Sequence, residues 1–317
     1  MPAHSLVVGV VAQLDDAAKT ALTCALSDYE VLWASPSEWN PRFSECEVVF
    51  GGLPADWVEK LPHLRWLQLE SVGFEPYEAI AESITERGIV VTNLRGQFKH
   101  PVAESVLAGV LAMLRGIDQV VEARGNKTWA KSQIRESTDL LHGSEAIVLG
   151  NGAIGAQIRH LLEAFGCLVR TYGRATSSAE LRDRMSLDAA LHTARVVVSV
   201  LPSTPDTAML FDRERISKMN RDTIFANAGR GDVVDECALV AALEAGALGG
   251  AVLDVTQEEP LPAGSALWTS ARMILTQHTG GGYRAELLDK VERFLSNLRA
   301  WEADSELSNV VDWQKGY

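Results

Sequence analysis

The sequence predicts an α/β protein built on two doubly wound parallel sheets. Residues 6–93 alternate short β-branched runs with helical patterns, a second such series begins at Ala146, and one long helical stretch separates the two. Strands that alternate with helices pair in parallel through right-handed crossovers. With 317 residues, 47% hydrophobic, the chain can bury one large or two medium cores, and the two series favour two domains.

The first series reads "LVVGVVA", a helix over 15–27, then "YEVLWA", "ECEVVFGG", "LRWLQLE" and "GIVVTN". From His100 the pattern becomes one long helix, "HPVAESVLAGVLAMLRGIDQVVEARG", with Pro101 tolerated in its first turn and apolar residues at helical spacing. Its apolar surface exceeds what one contact within the chain needs, so a homodimer is expected to bury the excess. The second series reads "AIVLG", "CLVRTY", "RVVVSVL", "TIFANA", "GGAVLD" and "MILT". After Gly282 only an amphipathic helix over about 284–301 and the tail "LSNVVDWQKGY" follow.

Composition excludes some partners. A formal charge of −13 without a clustered basic run argues against a nucleic-acid surface and for a small-molecule partner. No apolar run is long enough to cross a bilayer, and "MPAHSLVVGVVAQLDD" lacks a secretory pattern, so a cytoplasmic location is expected. Cys24, Cys46, Cys167 and Cys237 have no zinc or redox spacing; they read as buried free thiols, and no metal site is expected.

The stretch "AIVLGNGAIGAQI" places three glycines between an apolar strand and a helix start. Gly150 allows the tight turn, Gly152 lets backbone N–H groups approach a pyrophosphate, and Gly155 lets the helix pack close to the sheet. The helix N-terminus then offers unpaired N–H groups to the phosphates. An acid at the end of the next strand would grip the ribose of NAD, but the chain reads "LVRTYGRATSS". Gly173 removes the repulsion an acid would exert on a 2′-phosphate, Arg174 supplies a fork of donors, and Thr176, Ser177 and Ser178 add hydroxyls. NADP(H) is therefore expected to be preferred over NAD(H).

Ligands of open parallel sheets lie at the carboxyl ends of strands. "FANAGRGDVVDE" puts Arg230 past one strand, "AVLDVTQEEPLP" puts Asp254 and Glu259 past the next, and "MILTQHTGGG" puts His278 past the last. Reduction of a 2-keto acid by hydride needs a cation for the carboxylate, an acid for the carbonyl oxygen and a group that keeps the acid charged. Arg230, His278 and Glu259 supply that set.

These segments resemble the D-isomer-specific 2-hydroxyacid dehydrogenases, a family of glyoxylate/hydroxypyruvate reductases, D-lactate dehydrogenases and phosphoglycerate dehydrogenases. The resemblance spans nearly the whole chain: "LRWLQLESVGFEPY", "VTNLRGQFKHPVAESVLAGVLAMLR", "LGNGAIG", "VLPSTPDT", "NAGRGDVVDECALVAALEAGALGGAVLDVTQEEPLP", "LTQHTGG" and the tail occur in the family's order. It implies a flavodoxin-like substrate-binding domain, 1–99 completed by 284–317, and a Rossmann-like cofactor domain, 100–283, assembled as a dimer. It implies that Arg230, Glu259 and His278 are the catalytic set and that the backbone N–H groups of Val72 and Gly73 bind the substrate carboxylate. Ala153, Ile154, Leu201, Pro202, Thr207, Ala228, His278 and Gly280 would line the cofactor, and Asp254 would meet its carboxamide. Two positions depart from the family pattern: Gln277 replaces the usual proline before the histidine, and Glu70 adds a negative charge beside the carboxylate loop.

The expected activity is reduction of a small 2-keto acid, of the glyoxylate or hydroxypyruvate kind, to the D-2-hydroxy acid by NADPH. Alternatives within the resemblance are a cofactor-sensing binding protein like the family's corepressors, and a dehydrogenase of a phosphorylated hydroxy acid. The chain shows no added regulatory domain after "NVVDWQKGY", which ranks the last lower.

Overall fold

The computed structural model describes residues 6–173 and 178–313. They form two units, one of residues up to Gln97 together with those from Tyr283 onward, the other of Phe98–Gly282.

The first unit carries five parallel strands, β1 (Val7–Val10), β2 (Glu30–Trp33), β3 (Val48–Phe50), β4 (Trp66–Gln68) and β5 (Val90–Thr92), in the order β2-β1-β3-β4-β5. Helix α1 (Asp16–Ala25) crosses from β1 to β2, its N-terminus capped by the Asp15 carboxylate on the Ala18 N–H, and α2 (Ala55–Val58) and α3 (Ala81–Glu86) follow later strands. Alternation of side chains splits β1 and β3 between two cores, Val8, Val10, Val48 and Phe50 facing one and Val49 the other. The C-terminal helix Glu286–Glu302 closes the first core, with Phe294 stacked on Phe50 and Trp66 at 4.7 and 5.4 Å between ring centroids. Asn297 of that helix donates to Gln68 Oε1 at 2.9 Å, so the buried amides are satisfied in pairs.

The second unit opens with α4 (Lys99–Leu114), α5 (Ile117–Gly125) and α6 (Lys131–Ser137). The single long helix expected from His100 to Gly125 is thus two. Gly116 sits at φ +63°, outside the right-handed helical region, and a side chain there would meet Ile134 of α6 at 2.9 Å. Apolar periodicity continues across the break, which is why it does not betray it.

Six parallel strands follow: β6 (Glu145–Leu149), β7 (Leu168–Tyr172), β8 (Val196–Ser199), β9 (Ile224–Asn227), β10 (Gly250–Leu253) and β11 (Met273–Leu275), in the order β11-β10-β9-β8-β6-β7. Beyond β7, Leu181 makes a lone parallel bridge to Tyr172. Counted as a one-residue strand it restores the 3-2-1-4-5-6 order of a dinucleotide-binding sheet, with β11 as one strand more. The intervening helices are α7 (Ala153–Ala164), α8 (Arg184–Leu191), α9 (Arg213–Ser217) and α10 (Glu236–Glu244). Strands such as "VVVS" are buried on both faces, Val196 and Val198 against α4 and α7, Val197 against the helices opposite.

All four cysteines are free thiols, but only Cys46 and Cys167 are buried; Cys24 and Cys237 are exposed, against expectation. On α1 the buried stripe is Ala18 and Leu22, and Cys24 lies two residues on, about 200° round the helix from Leu22. Proximity in sequence to apolar residues is no measure of burial when the period is helical. Among the described residues no helix is long and apolar enough to cross a membrane, and no group of His, Cys, Asp and Glu could hold a metal ion.

Candidate active site

The glycine loop follows β6 and turns into α7. Each glycine has its own reason. Gly150 is at φ +109°, and a side chain on it would meet Val200 at 3.0 Å. Gly155 packs so closely that a Cβ would lie 1.8 Å from the Gly150 carbonyl oxygen. Gly152, the N-cap of α7, faces open space and has no capping side chain, and no acid occupies the first turn. The loop is therefore a cradle at the N-terminus of α7 with room in front of it, as a pyrophosphate requires. Ala153 and Ile154 continue it into the helix, exposed and half-buried respectively.

At the end of β7, Gly173 donates its N–H to the Leu181 carbonyl at 3.2 Å. Arg174, Thr176 and Ser177, expected to meet a 2′-phosphate, lie outside the described residues. Ser178 is described, and its hydroxyl accepts from Asn151 of the glycine loop at 2.7 Å.

After β8, Leu201 is buried and Pro202 exposed. The Thr207 hydroxyl is committed to this turn, donating to the Pro202 carbonyl at 2.6 Å and accepting the Thr204 N–H at 2.9 Å. Thr207 thus shapes its own turn rather than offering a spare donor. Ala228, just past β9, lines a small apolar recess with Val102, Val106, Asp254 and Gly280.

The three polar residues come from the neighbouring strands β9, β10 and β11. His278 Nδ1 and Glu259 Oε2 are 2.6 Å apart, with the histidine side chain 58% exposed. Burial opposes the Glu259 charge, but the bonds from His278 and from the Thr256 N–H outweigh it, with Arg230 adding attraction, so its pKa falls below the ordinary carboxylate value. Asp254 anchors the histidine loop: its carbonyl accepts the His278 N–H at 2.6 Å, and its Oδ1 accepts Thr276 Oγ1 at 2.6 Å and the Gly280 N–H at 3.0 Å.

Residues the sequence reading passed over hold these loops together. Asn227 spans the turn before Arg230, its amide donating to the Arg230 carbonyl at 2.8 Å and accepting the Gly229 N–H at 3.2 Å. Gly231 lies flat on the Glu259 loop, where a Cβ would come 2.0 Å from the Thr256 carbonyl carbon and oxygen. Glu236, at the start of α10, accepts the Gln257 N–H at 2.6 Å and so steadies the same loop from behind. An asparagine ending an apolar strand and a glycine after an arginine were the available signals. A cavity of about 390 Å³ opens beside this cluster, lined by His278, Glu259, Gln277, Leu261 and Trp268.

In the first unit, Val72 and Gly73 follow β4. Asn93 donates to the Val72 carbonyl at 2.9 Å and Ser71 to the Gly73 carbonyl at 2.7 Å, while among the described residues neither N–H has an acceptor. Paired free N–H groups of this kind suit an anion. Glu70 is turned from them: its Oε1 lies 3.4 Å from the Gly52 N–H. Its charge therefore leaves the loop open to a carboxylate.

Comparison with known proteins places the chain in a family. The family model described as D-isomer specific 2-hydroxyacid dehydrogenase, NAD binding domain, matches residues 107–280. Glyoxylate/hydroxypyruvate reductase B of Shigella dysenteriae is 32% identical over 248 residues, 75% of this chain and 76% of that protein. A D-isomer specific 2-hydroxyacid dehydrogenase family protein from Aeromonas salmonicida superposes with a TM-score of 0.83 at 27% identity, over 98% of this chain and 100% of that one. A D-isomer specific 2-hydroxyacid dehydrogenase from Xanthobacter autotrophicus, solved with NADPH and MES, gives 0.81 at 28% identity over 99% and 100%.

Proposed function

Because the chain belongs to the D-isomer-specific 2-hydroxyacid dehydrogenase family, and so is an NAD(P)-dependent oxidoreductase, we propose that it reduces a small 2-keto acid of the glyoxylate or hydroxypyruvate kind to the D-2-hydroxy acid, using NADPH in preference to NADH. The observation that carries the reading is the His278–Glu259 pair at 2.6 Å, on a loop to which Gly231 fastens the Arg230 turn. Residues 150–155 would hold the pyrophosphate of the dinucleotide and the loops after β8, β9 and β10 would line the rest of it, and when bound it would supply the hydride.

The chain's own residues do the rest. Arg230 binds the carboxylate and polarises the keto oxygen. As hydride arrives, negative charge grows on the keto oxygen. His278, whose Nδ1 is tied to Glu259, gives that oxygen a proton from Nε2. Glu259 fixes the ring's orientation and favours the imidazolium that must exist beforehand.

The cofactor preference is supported by Gly173, which leaves no acid at the ribose end of β7, and by relatives such as the Rhizobium etli probable 2-hydroxyacid dehydrogenase, solved with NADP. A homodimer is supported by apolar side chains left exposed on α5 and after it, Ile117, Val120, Val121 and Trp129, the last 89% exposed. Initial rates on glyoxylate, hydroxypyruvate, pyruvate and bulkier keto acids with both cofactors test the activity. No turnover with any of them despite tight NADPH binding would overturn it, and NADH used at least as well as NADPH would overturn the preference.

A further inference from the structure

The chain beside β7 contains an acid that the strand end lacks. After Gly173 the chain is back alongside the strand by Leu181, whose N–H donates to the Thr171 carbonyl at 3.0 Å and whose carbonyl accepts from Gly173. Glu180 then folds its carboxylate back onto β7. Its Oε2 accepts the Thr171 N–H at 2.8 Å and the Thr171 hydroxyl at 2.6 Å, and its Oε1 accepts Arg159 Nη1 at 2.8 Å. Arg159 belongs to α7, the helix the glycine loop opens, and its Nε donates to Glu163 at 2.8 Å. The three side chains therefore tie α7 to the end of β7, the two elements that flank the adenosine end of a dinucleotide in this sheet order.

Two carboxylates and one guanidinium leave the cluster with one net negative charge. Glu180 stays ionised through the working range: burial opposes its charge, but the Thr171 and Arg159 bonds outweigh that and hold its pKa down to about 2. Such a charge acts on a 2′-phosphate without touching it. Arg159 compensates it only in part, because it is shared with Glu163.

We propose that the Arg159–Glu180 pair is a specificity-determining element for the cofactor, its net charge setting how strongly the adenosine end discriminates for or against a 2′-phosphate. Glu180 is an acid seven positions past Gly173, drawn away from the ribose by Thr171 and Arg159. This assignment rests on the reading of the second unit as an NADP(H)-binding domain, but its test needs no turnover.

The experiment measures, on the full chain, the affinities for adenosine 2′,5′-bisphosphate and for 5′-AMP at low and high ionic strength. In Glu180→Gln and in Glu163→Gln the cluster becomes neutral, and the bisphosphate preference should rise about threefold; in Arg159→Gln it carries two negative charges, and the preference should fall by a similar factor. High salt should erase both changes. Glu163→Gln leaves the Thr171–Glu180 bonds intact, so a purely structural role for Glu180 predicts no change there. An unchanged ratio in Glu163→Gln, or an Arg159→Gln ratio at or above wild type, would overturn the proposal. If the wild type binds 5′-AMP as well as the bisphosphate while the variants still order by charge, the NADP(H) reading fails and the pair's role stands.

Discussion

Replacing Gly231 with alanine tests whether the active-site loops must lie in contact. The new Cβ would come 2.0 Å from the Thr256 carbonyl carbon and oxygen and 2.4 Å from the Gln257 nitrogen, and all three are backbone atoms that no rotamer change can move. Ordinary contact begins at 3.4 Å, so the Arg230 turn and the Glu259 loop must part by about 1.4 Å. A misplacement of about 1 Å at a reacting centre costs roughly 10²-fold, and the overpacking itself costs about 1–3 kcal/mol of stability. Gly231 has no positive φ, so strain in the alanine's own backbone does not confuse the result. Steady-state kcat/KM on the best keto acid should fall about 100-fold or more, while NADPH binding followed by fluorescence changes much less, since the glycine loop lies on β6 and α7. A Gly231→Ala enzyme within threefold of wild type, at unchanged cofactor affinity, would refute the idea that this contact sets the Arg230 to Glu259 geometry.

Arg230→Ala should lower kcat/KM by roughly 10- to 100-fold for each charge-assisted bond lost and raise KM, whereas His278→Ala should act mainly on kcat; steady-state rates separate them. Glu259 has its pKa held below the usual 4.5, so its charge and the support it gives His278 are present at neutral pH and lost only as pH falls through that lower value. Glu259→Gln removes the charge at every pH, so kcat/KM for reduction should fall at neutral pH and the acid-side loss that follows Glu259 protonation should vanish from the profile. Gly152→Ala should keep its melting temperature and raise KM for the cofactor about tenfold, since its side chain would point into the open space proposed for the pyrophosphate; Gly155→Ala should lose about 1–3 kcal/mol of stability on the Gly150 carbonyl, read by denaturant titration. A thiol reagent should label Cys24 and Cys237 of the native protein quickly, while burial, which pushes the Cys46 thiol up to about 12 and raises Cys167 too, keeps those two slow until unfolding.

Much of the architecture was legible because buried parallel strands are short unbroken apolar runs and each ends where its function begins. "AIVLG", "RVVVSVL" and "TIFANA" became β6, β8 and β9, and Arg230, Glu259 and His278 fall just past adjacent strands. Other features left no mark on periodicity. The break at Gly116 lies between two stretches that each keep helical spacing, and one glycine in such a pattern is as often tolerated as not. Leu181 pairs with Tyr172 as a single residue, too short to alternate. The contact between Gly231 and Thr256 joins residues 25 positions apart, and nothing local to either announces the other.

The backbone at His278 shows how the site holds a conformation the sequence does not advertise. Gln277 and His278 stand at φ +54° and +57°, two left-handed non-glycine residues in succession, in a turn closed by the Thr279 N–H on the Thr276 carbonyl. Turns of this hand usually take Asn or Gly, and residues in such regions cost of order 1–3 kcal/mol each. Proline, fixed near −65°, could not adopt φ +54° at all, so the glutamine in place of the family's usual proline and the shape of this turn belong together. What balances the strain is Asp254. Its carbonyl takes the His278 N–H, and its carboxylate takes the Thr276 hydroxyl and the Gly280 N–H, two charge-assisted bonds worth about 1.5–3 kcal/mol each. Gly280 must be glycine for this to work, because a Cβ would lie 2.7 Å from the same carboxylate. The acid that the family resemblance assigns to the nicotinamide carboxamide therefore also fixes the backbone that aims His278, and the loop's strain is held by the strand end from which the neighbouring Glu259 loop departs.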